Sequence, residues 1–183
     1  MLRSDTHRRG FTLIEILMVV VVIAVAMGMF VPQFVRRISA TKLREAGHHL
    51  FVMARYAHEF AVTRRCTCRL LIDPKRNRFG LVYQVDPEHR ASEYVPMRRD
   101  GMRQTTLPQG VRFAEVLADS VANQDPKEIV ISFDPTGQAT AAIIQLTDGH
   151  RTWSIVIEPN RGRVELVDQA INAFPHDRKD LDA

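Results

Sequence analysis

The sequence predicts an α+β protein, in which a long N-terminal helix packs on a C-terminal antiparallel β-rich domain. Apolar residues make up 45% of the 183, but they crowd near the N-terminus, where 11–31 holds eighteen in twenty-one positions. After residue 65, the helical period gives way to short apolar runs separated by turn residues, as in strands. Five segments follow: a leader (1–10), an apolar helix (11–31), its amphipathic continuation (32–65), a β-rich domain (66–171) and a tail (172–183).

The charge of the chain does not indicate a nucleic-acid-binding protein. The net charge is +4, from 25 basic and 21 acidic residues. The first ten residues hold three of the basic and one of the acidic residues, so the remainder carries 22 against 20, or +2. The remaining basic residues are scattered among acidic ones, which is typical of a solvated surface. We therefore expect no nucleic-acid partner.

The apolar run 11–31 is long enough to cross a membrane. A helix rises 1.5 Å per residue, so twenty-one residues span about 31 Å, the thickness of a bilayer's hydrocarbon core. Arg3, Arg8 and Arg9 precede the run, and positive residues tend to stay in the cytoplasm. We therefore expect a single-pass protein with a cytoplasmic N-terminus, although Arg36 and Arg37 weaken the charge asymmetry.

Three interpretations compete for this run: a plain anchor, a removable secretory signal and a prepilin leader. The stretch 24–26 reads Ala-Val-Ala, a small-residue pattern that a signal peptidase could cut. Glu15 argues against the first two interpretations, because a carboxylate inside a membrane costs roughly 2.5–3.5 kcal/mol on insertion scales. Neither a plain anchor nor a secretory signal explains why that carboxylate is there.

The stretch 8–15, Arg-Arg-Gly-Phe-Thr-Leu-Ile-Glu, resembles the processing site of type IV prepilins and pseudopilins. The resemblance implies that a prepilin peptidase cuts between Gly10 and Phe11 and methylates the new N-terminus on Phe11. It also implies that Glu15 pairs with the amino group of a neighbouring subunit. Such a pair makes two otherwise costly charges tolerable in a low-dielectric bundle.

Beyond the apolar run, the helical period continues with a change of character. Pro32 removes one helical hydrogen bond, and Gly28 softens the backbone nearby, so we expect a kink there and not the end of the helix. From 34 to 65, apolar residues recur at helical spacing and form the stripe that should face the core. The stripe consists of Ile38, Ala46, Leu50, Met53, Ala57 and Phe60.

Turn residues divide the rest of the chain into candidate strands. The predicted strands are 66–72, 79–85, 111–116, 129–133, 141–147, 152–158 and 164–167. The dipeptide Asp148-Gly149 predicts a two-residue hairpin turn. The stretch 86–109 contains three prolines and no sustained period, so we expect a long exposed loop. The charged tail from Asn172 should be mobile.

Three motifs of this region, at 131–137, 153–155 and 162–164, resemble the C-terminal domain of H-type minor pseudopilins of type II secretion. Gly137 and Gly162 suit turns that need a positive φ. Trp153 alternates with two isoleucines on one strand face, which favours core packing over an exposed subunit contact.

No pattern indicates catalysis, a metal or a cofactor. Cys66 and Cys68 lie two residues apart, which is poor geometry for a disulfide, so we expect buried free thiols. His48 and His49 adjoin each other and cannot share a helical face. Turn formation explains Asp134 and Asp148 without an acid–base role. We therefore predict no enzymatic activity, no cofactor and no metal site.

Together, these features and resemblances imply a minor pseudopilin of a type II secretion system, assembled at or near the tip of a periplasmic pseudopilus. The expected partners are the prepilin peptidase, other major and minor pseudopilins, and the bacterial inner membrane, with the C-terminal domain in the periplasm. The alternative is a minor type IV pilin, which shares the leader, the helix and this type of domain. A membrane-anchored enzyme is the third hypothesis.

Overall fold

The computed structural model describes residues 11–90, 92–99, 102–119 and 128–171, with the side chains of 28–38 excepted. The chain divides into two units, Met1–Ile38 and Ser39–Ala183. Among the described residues, one long helix, α1 (Leu13–Arg64), is followed by nine strands. The strands are β1 (Cys68–Asp73), β2 (Arg78–Gln84), β3 (Tyr94–Pro96), β4 (Thr105–Thr106), β5 (Arg112–Ala118), β6 (Ile129–Phe133), β7 (Ala142–Thr147), β8 (Thr152–Ile157) and β9 (Val164–Val167).

Local hydrogen bonds and backbone conformation explain where α1 begins and where it ends. At the N-terminus, the backbone N–H of Glu15 lies 3.1 Å from the carbonyl oxygen of Thr12 and 3.4 Å from its Oγ1, so Thr12 caps the helix. At the C-terminus, Arg65 adopts a positive φ of 52°, and the N–H of Cys66 donates to the carbonyl of Ala61 at 3.2 Å. A left-handed residue of this kind commonly ends a helix. The helix continues through Pro32, as predicted.

The strands form two antiparallel sheets in the second unit. The first sheet has the order β3-β2-β1-β6, with β4 also paired to β2, and the second has the order β5-β7-β8-β9. Core-facing residues alternate along β1, where Cys68, Leu70 and Ile72 are each 0% exposed. The rings of Phe79 and Phe113 meet edge to face across the two sheets, with their centroids 6.3 Å apart.

The predicted stripe of α1 from Ala46 to Phe60 packs against the inner faces of both sheets, while the side chain of Ile38 lies outside the described ones. Leu50, Met53 and Ala57 are fully buried, and Phe60 is half-buried against the core, with its ring centroid 5.2 Å from that of Tyr83. The stripe is wider than predicted, because Leu43, Ala54 and Ala61 are also buried. Gly47 lies on the same side, where a Cβ would be 3.7 Å from both Trp153 and Leu166. A Cβ at Gly47 would therefore make ordinary van der Waals contact with the second sheet, which packs on the helix here.

The prediction that 86–109 is a long exposed loop is wrong, because the stretch contains two short strands and buried residues. The two short strands β3 and β4 both pair with β2, so they form one interrupted edge strand. Just before β4, Gln104 passes so close to Gly80 that a Cβ there would lie 3.0 Å from the Cα of Gln104. Met97 and Leu107, which directly follow β3 and β4, are buried.

The hairpin between β7 and β8 also differs from its prediction. The strands pair as far as Thr147 and Thr152, and the N–H of Asp148 donates to the carbonyl of Arg151 at 3.3 Å. The central residues of the turn are therefore Gly149, with a φ of 91°, and His150, one position later than predicted. The Asp148 carboxylate accepts from the N–H groups of His150 and Arg151 at 2.9 and 2.8 Å, so it stabilises this arrangement.

The outer face of the second sheet carries two buried polar side chains that the following segment satisfies. Ser154 donates to the carbonyl of Gln169 at 2.6 Å and accepts from the N–H of Ile171 at 3.2 Å. Gln145 donates to the carbonyl of Ile171 at 2.9 Å. The chain after β9 therefore crosses back over β8 and β7. The predicted mobile tail, 172–183, lies outside the described residues.

Candidate processing and assembly site

The predicted processing site lies at the start of α1. Gly10 lies outside the described residues, and Phe11 is 77% exposed just before the helix. Thr12 caps the helix by accepting from the N–H of Glu15. A Thr three residues before a Glu is the sequence signature of a capping box, so this role of Thr12, which the sequence analysis missed, was readable from the sequence.

The apolar residues on either side of the Thr12 cap are exposed, and those at the start of the helix are exposed on every side of it. Phe11, Leu13 and Ile14 are at least 69% exposed, and Leu17 to Met27 stay near half-exposed or above at their large side chains. A helix that is apolar all round needs an apolar environment from outside the chain. Glu15 lies among these residues and is exposed too. Within the described residues, no helix combines the length and apolarity that crossing a membrane requires.

The kink predicted at Gly28 and Pro32 falls within α1, in the stretch whose side chains are not described. The helix is continuous there, and the kink stays a prediction.

A second candidate region lies where α1 meets two turns of the β domain. Gly137 and Gly162 have φ values of 86° and 55°, so both predictions of a positive φ are confirmed. His58, which the sequence analysis did not single out, links them. Its Nε2 lies 3.1 Å from the carbonyl oxygen of Gly137, and a Cβ at Gly162 would overlap its imidazole ring. The motifs at 131–137 and 162–164 therefore converge on a single helical residue.

The cysteines are free and buried, as predicted. Burial raises the pKa of the Cys68 thiol to about 12, with a smaller contribution from Cys66. Burial also raises the pKa of Cys66, although the nearby charge of Arg64 opposes the shift. Both groups are therefore protonated thiols at neutral pH, poor nucleophiles and poor metal ligands.

The other residues considered as metal ligands or catalytic groups make ring contacts or turn hydrogen bonds. His48 is exposed and stacks on Phe51, with ring centroids 6.1 Å apart, while the His49 ring meets the Phe79 ring edge-on. Among the described residues, no three His, Cys, Asp or Glu side chains gather where they could hold a metal ion. Asp148 serves the turn between β7 and β8, and Trp153 packs against the core as predicted.

Comparison with known proteins gives two findings that agree. Residues 5–31 match the family model of the prokaryotic N-terminal methylation motif. The fold matches two solved structures of the minor pseudopilin EpsH from the type II secretion system of Vibrio cholerae. One is 15% identical with a TM-score of 0.55 over 69% of this chain and 97% of that chain. The other is 13% identical with a TM-score of 0.56 over 73% and 98%. No curated protein sequence matches the chain.

These findings define the chain as a prepilin-type protein with a hydrophobic N-terminal region. Its fold is that of the minor pseudopilin EpsH, a helix packed on antiparallel β-sheets, which confirms the predicted fold class. The resemblance drawn from 8–15 is confirmed by the match to the family model, and the fold that the β-domain motifs imply is confirmed by the structural match.

Proposed function

We propose that this chain is a minor pseudopilin of a type II protein secretion system. In this role it is a structural subunit at or near the tip of a periplasmic pseudopilus, and not an enzyme. The observation that carries the proposal is the presence, in one chain, of the N-terminal methylation motif and the EpsH fold. The fold match alone would not assign a function at 15% identity, and the motif alone would admit any prepilin-type protein.

The proposal includes processing at the N-terminus. A prepilin peptidase cuts between Gly10 and Phe11 and methylates the amino group of Phe11. Before assembly the chain sits in the bacterial inner membrane as a single-pass protein, with its N-terminus in the cytoplasm and its β domain in the periplasm. The eighteen apolar residues in 11–31 and their exposure in the described part of the helix support this arrangement.

The proposal also gives Glu15 a role. Cleavage creates a positive amine on Phe11, and the carboxylate of Glu15 pairs with the amine of a neighbouring subunit. The neighbours are other major and minor pseudopilins, whose own apolar helices cover the exposed residues of this one. A pair of opposite charges removes most of the cost that each would carry alone in an apolar bundle. Gly28 and Pro32 supply a soft point in the helix during assembly.

Disruption and complementation of the gene test this proposal. Loss of the gene should leave type II substrates in the periplasm, and the wild-type gene should restore their release. Gly10→Leu, which removes the cleavage position, should fail to restore it, whereas Ser4→Ala, a change elsewhere in the leader, should succeed. Intact secretion together with lost surface pili would contradict the proposal and favour a minor type IV pilin.

A further inference from the structure

Two of the open cavities beside the C-terminal part of α1 are each lined by two or more arginines. One, of about 630 Å³, lies between the helix and the turn that joins β8 to β9. The other, of about 190 Å³, lies between the helix and Arg99. Glu59 and Thr63 line both cavities, so the two lie side by side along the helix; we call them together the arginine groove. Its charged lining residues are Arg55, Glu59, Arg64, Arg99, Arg161 and Arg163.

The arginine groove carries a larger excess of positive over negative side chains than the chain as a whole. Five arginines and one carboxylate, Glu59, are among the described residues that line it, whereas the whole chain carries 25 basic and 21 acidic residues. Glu165 pairs with Arg163 at 2.7 Å from beside the groove, and an excess of positive charge remains. Clustered charges of one sign in a concave surface raise the local potential and attract anionic groups.

Two of the guanidinium groups are held in place by aromatic rings. The guanidinium carbon of Arg55 lies 5.7 Å from the centroid of the Phe51 ring. Arg99 lies 5.3 Å from the Tyr56 centroid and donates from Nη1 to the hydroxyl of Tyr56 at 3.2 Å. A guanidinium has five N–H donors, so each retains donors for a ligand. Because these contacts restrict the two side chains, binding would cost less conformational entropy.

We propose that the arginine groove binds an acidic segment of another protein through carboxylate–guanidinium pairs. The planar guanidinium matches a carboxylate in a two-point geometry. Glu59 lies at the junction of the two cavities, where it would repel a continuous run of phosphates but accept a hydrogen bond from a polypeptide donor. Val62, 42% exposed in the larger cavity, adds an apolar contact. Charged residues around apolar contacts are typical of protein interfaces.

Binding of a fluorescein-labelled hexaglutamate peptide to the full-length protein in detergent, followed by fluorescence anisotropy, tests the proposal. The double reversal Arg55→Glu/Arg161→Glu should weaken binding about tenfold or more, because two attractive pairs become repulsive. The control Arg112→Glu/Arg151→Glu makes the same charge change at exposed residues outside the groove and should change the affinity less than about twofold. Equal losses in both double variants would overturn the proposal.

Two further measurements decide the identity of the ligand, and a third guards against a double variant that does not fold. A labelled hexathymidylate that binds as tightly as the peptide would overturn the proposal, because the groove would then be a general polyanion site. Deletion of 172–183 that tightens peptide binding about tenfold would also overturn it, because the chain's own tail would then be the occupant.

If the double variant no longer unfolds cooperatively, the single change Arg161→Gln on the exposed turn replaces it. The expected loss of affinity is about threefold, and an unchanged affinity would contradict the proposal.

Discussion

His58 shows how one helical residue can fix the position of two turns. Sequence patterns indicated that Gly137 and Gly162 adopt positive φ values, because glycine is the residue that turns of this kind require. The second constraint on Gly162 is the closeness of the His58 ring, and no local pattern reports a contact between residues more than a hundred positions apart. The positive φ of the two glycines was therefore predictable, whereas the contact with His58, which also excludes a side chain at Gly162, was not.

Gly162→Ala should destabilise the β domain by at least about 2 kcal/mol, because the new Cβ needs a strained φ and also overlaps His58. Gly110→Ala is the matched control. Gly110 has a φ of 92°, and in the described part of the chain no atom beyond its two sequence neighbours lies within 4 Å of the place that a new methyl group would take, so that change should cost only about 1 kcal/mol. Urea unfolding of the two variants measures the difference. Equal costs would show that His58 gives way freely.

Glu15→Gln should leave leader cleavage intact but reduce co-purification with other pseudopilins roughly tenfold or more. In the proposed charge pair, the change removes the negative charge that offsets the buried amine of a neighbour, and an unpaired buried charge is costly. Glu45→Gln, at an exposed position of the same helix, is the control and should assemble normally. Unchanged co-purification of the Glu15 variant would refute the charge pair while leaving the processing site untouched.

At the scale of elements, the long strands were predictable and the short ones were not. Runs such as β6 and β9 were predicted at their observed bounds, because several apolar residues lie between clear turn signals. β3 and β4 have three and two residues, too few for a period to appear. Their pairing depends on β2 as a neighbour, on the passage of the chain over Gly80, and on the stacking of Arg69 over Tyr94 at 3.9 Å. These are tertiary features that local sequence does not reveal.

The turn between β7 and β8 should lose stability in acid. Burial of the Asp148 carboxyl raises its pKa, but the backbone N–H groups of Arg151 and His150 outweigh that effect and hold the pKa below its usual value. The charged form therefore stabilises the fold above the unfolded pKa of about 3.9, and this contribution disappears as the pH falls through the lower folded pKa.

Asp148→Asn should therefore flatten the decline of stability below about pH 4, by a few tenths of a kcal/mol for so exposed a group. At pH 7 the same variant should lie close to the wild type, since the amide oxygen still accepts both hydrogen bonds. Thermal unfolding at several pH values measures both effects. A pH profile parallel to that of the wild type would contradict the role assigned to the carboxylate.

At the scale of the whole molecule, the second unit contains the entire described core and begins at Ser39. A protein that starts near Arg36 lacks the apolar run and should be soluble and cooperatively folded. Circular dichroism and a urea titration test this expectation, with the full-length chain in detergent as the control. Insolubility of the shortened protein would count against an independent outward-facing domain.

The N-terminal unit could be identified from its sequence, whereas the fold of the second unit needed a structural comparison to confirm it. The N-terminal motif is a local pattern of eight residues, so the sequence alone identified it, and the family model covers the same stretch. The β domain keeps the EpsH fold at 13 and 15% identity, because buried alternation and turn residues can be met by many sequences. Sheet order and register could not be predicted, since both depend on contacts between distant segments.

The most direct test of the proposed function is the N-terminus of the mature protein, isolated from the native membrane and analysed by mass spectrometry. Processing at the predicted site gives a chain that begins with N-methylated Phe11. A retained leader, or a chain that begins at Met27 after a signal-peptidase cut, would contradict the prepilin identity on which the role of Glu15 and the assembly of the helix depend.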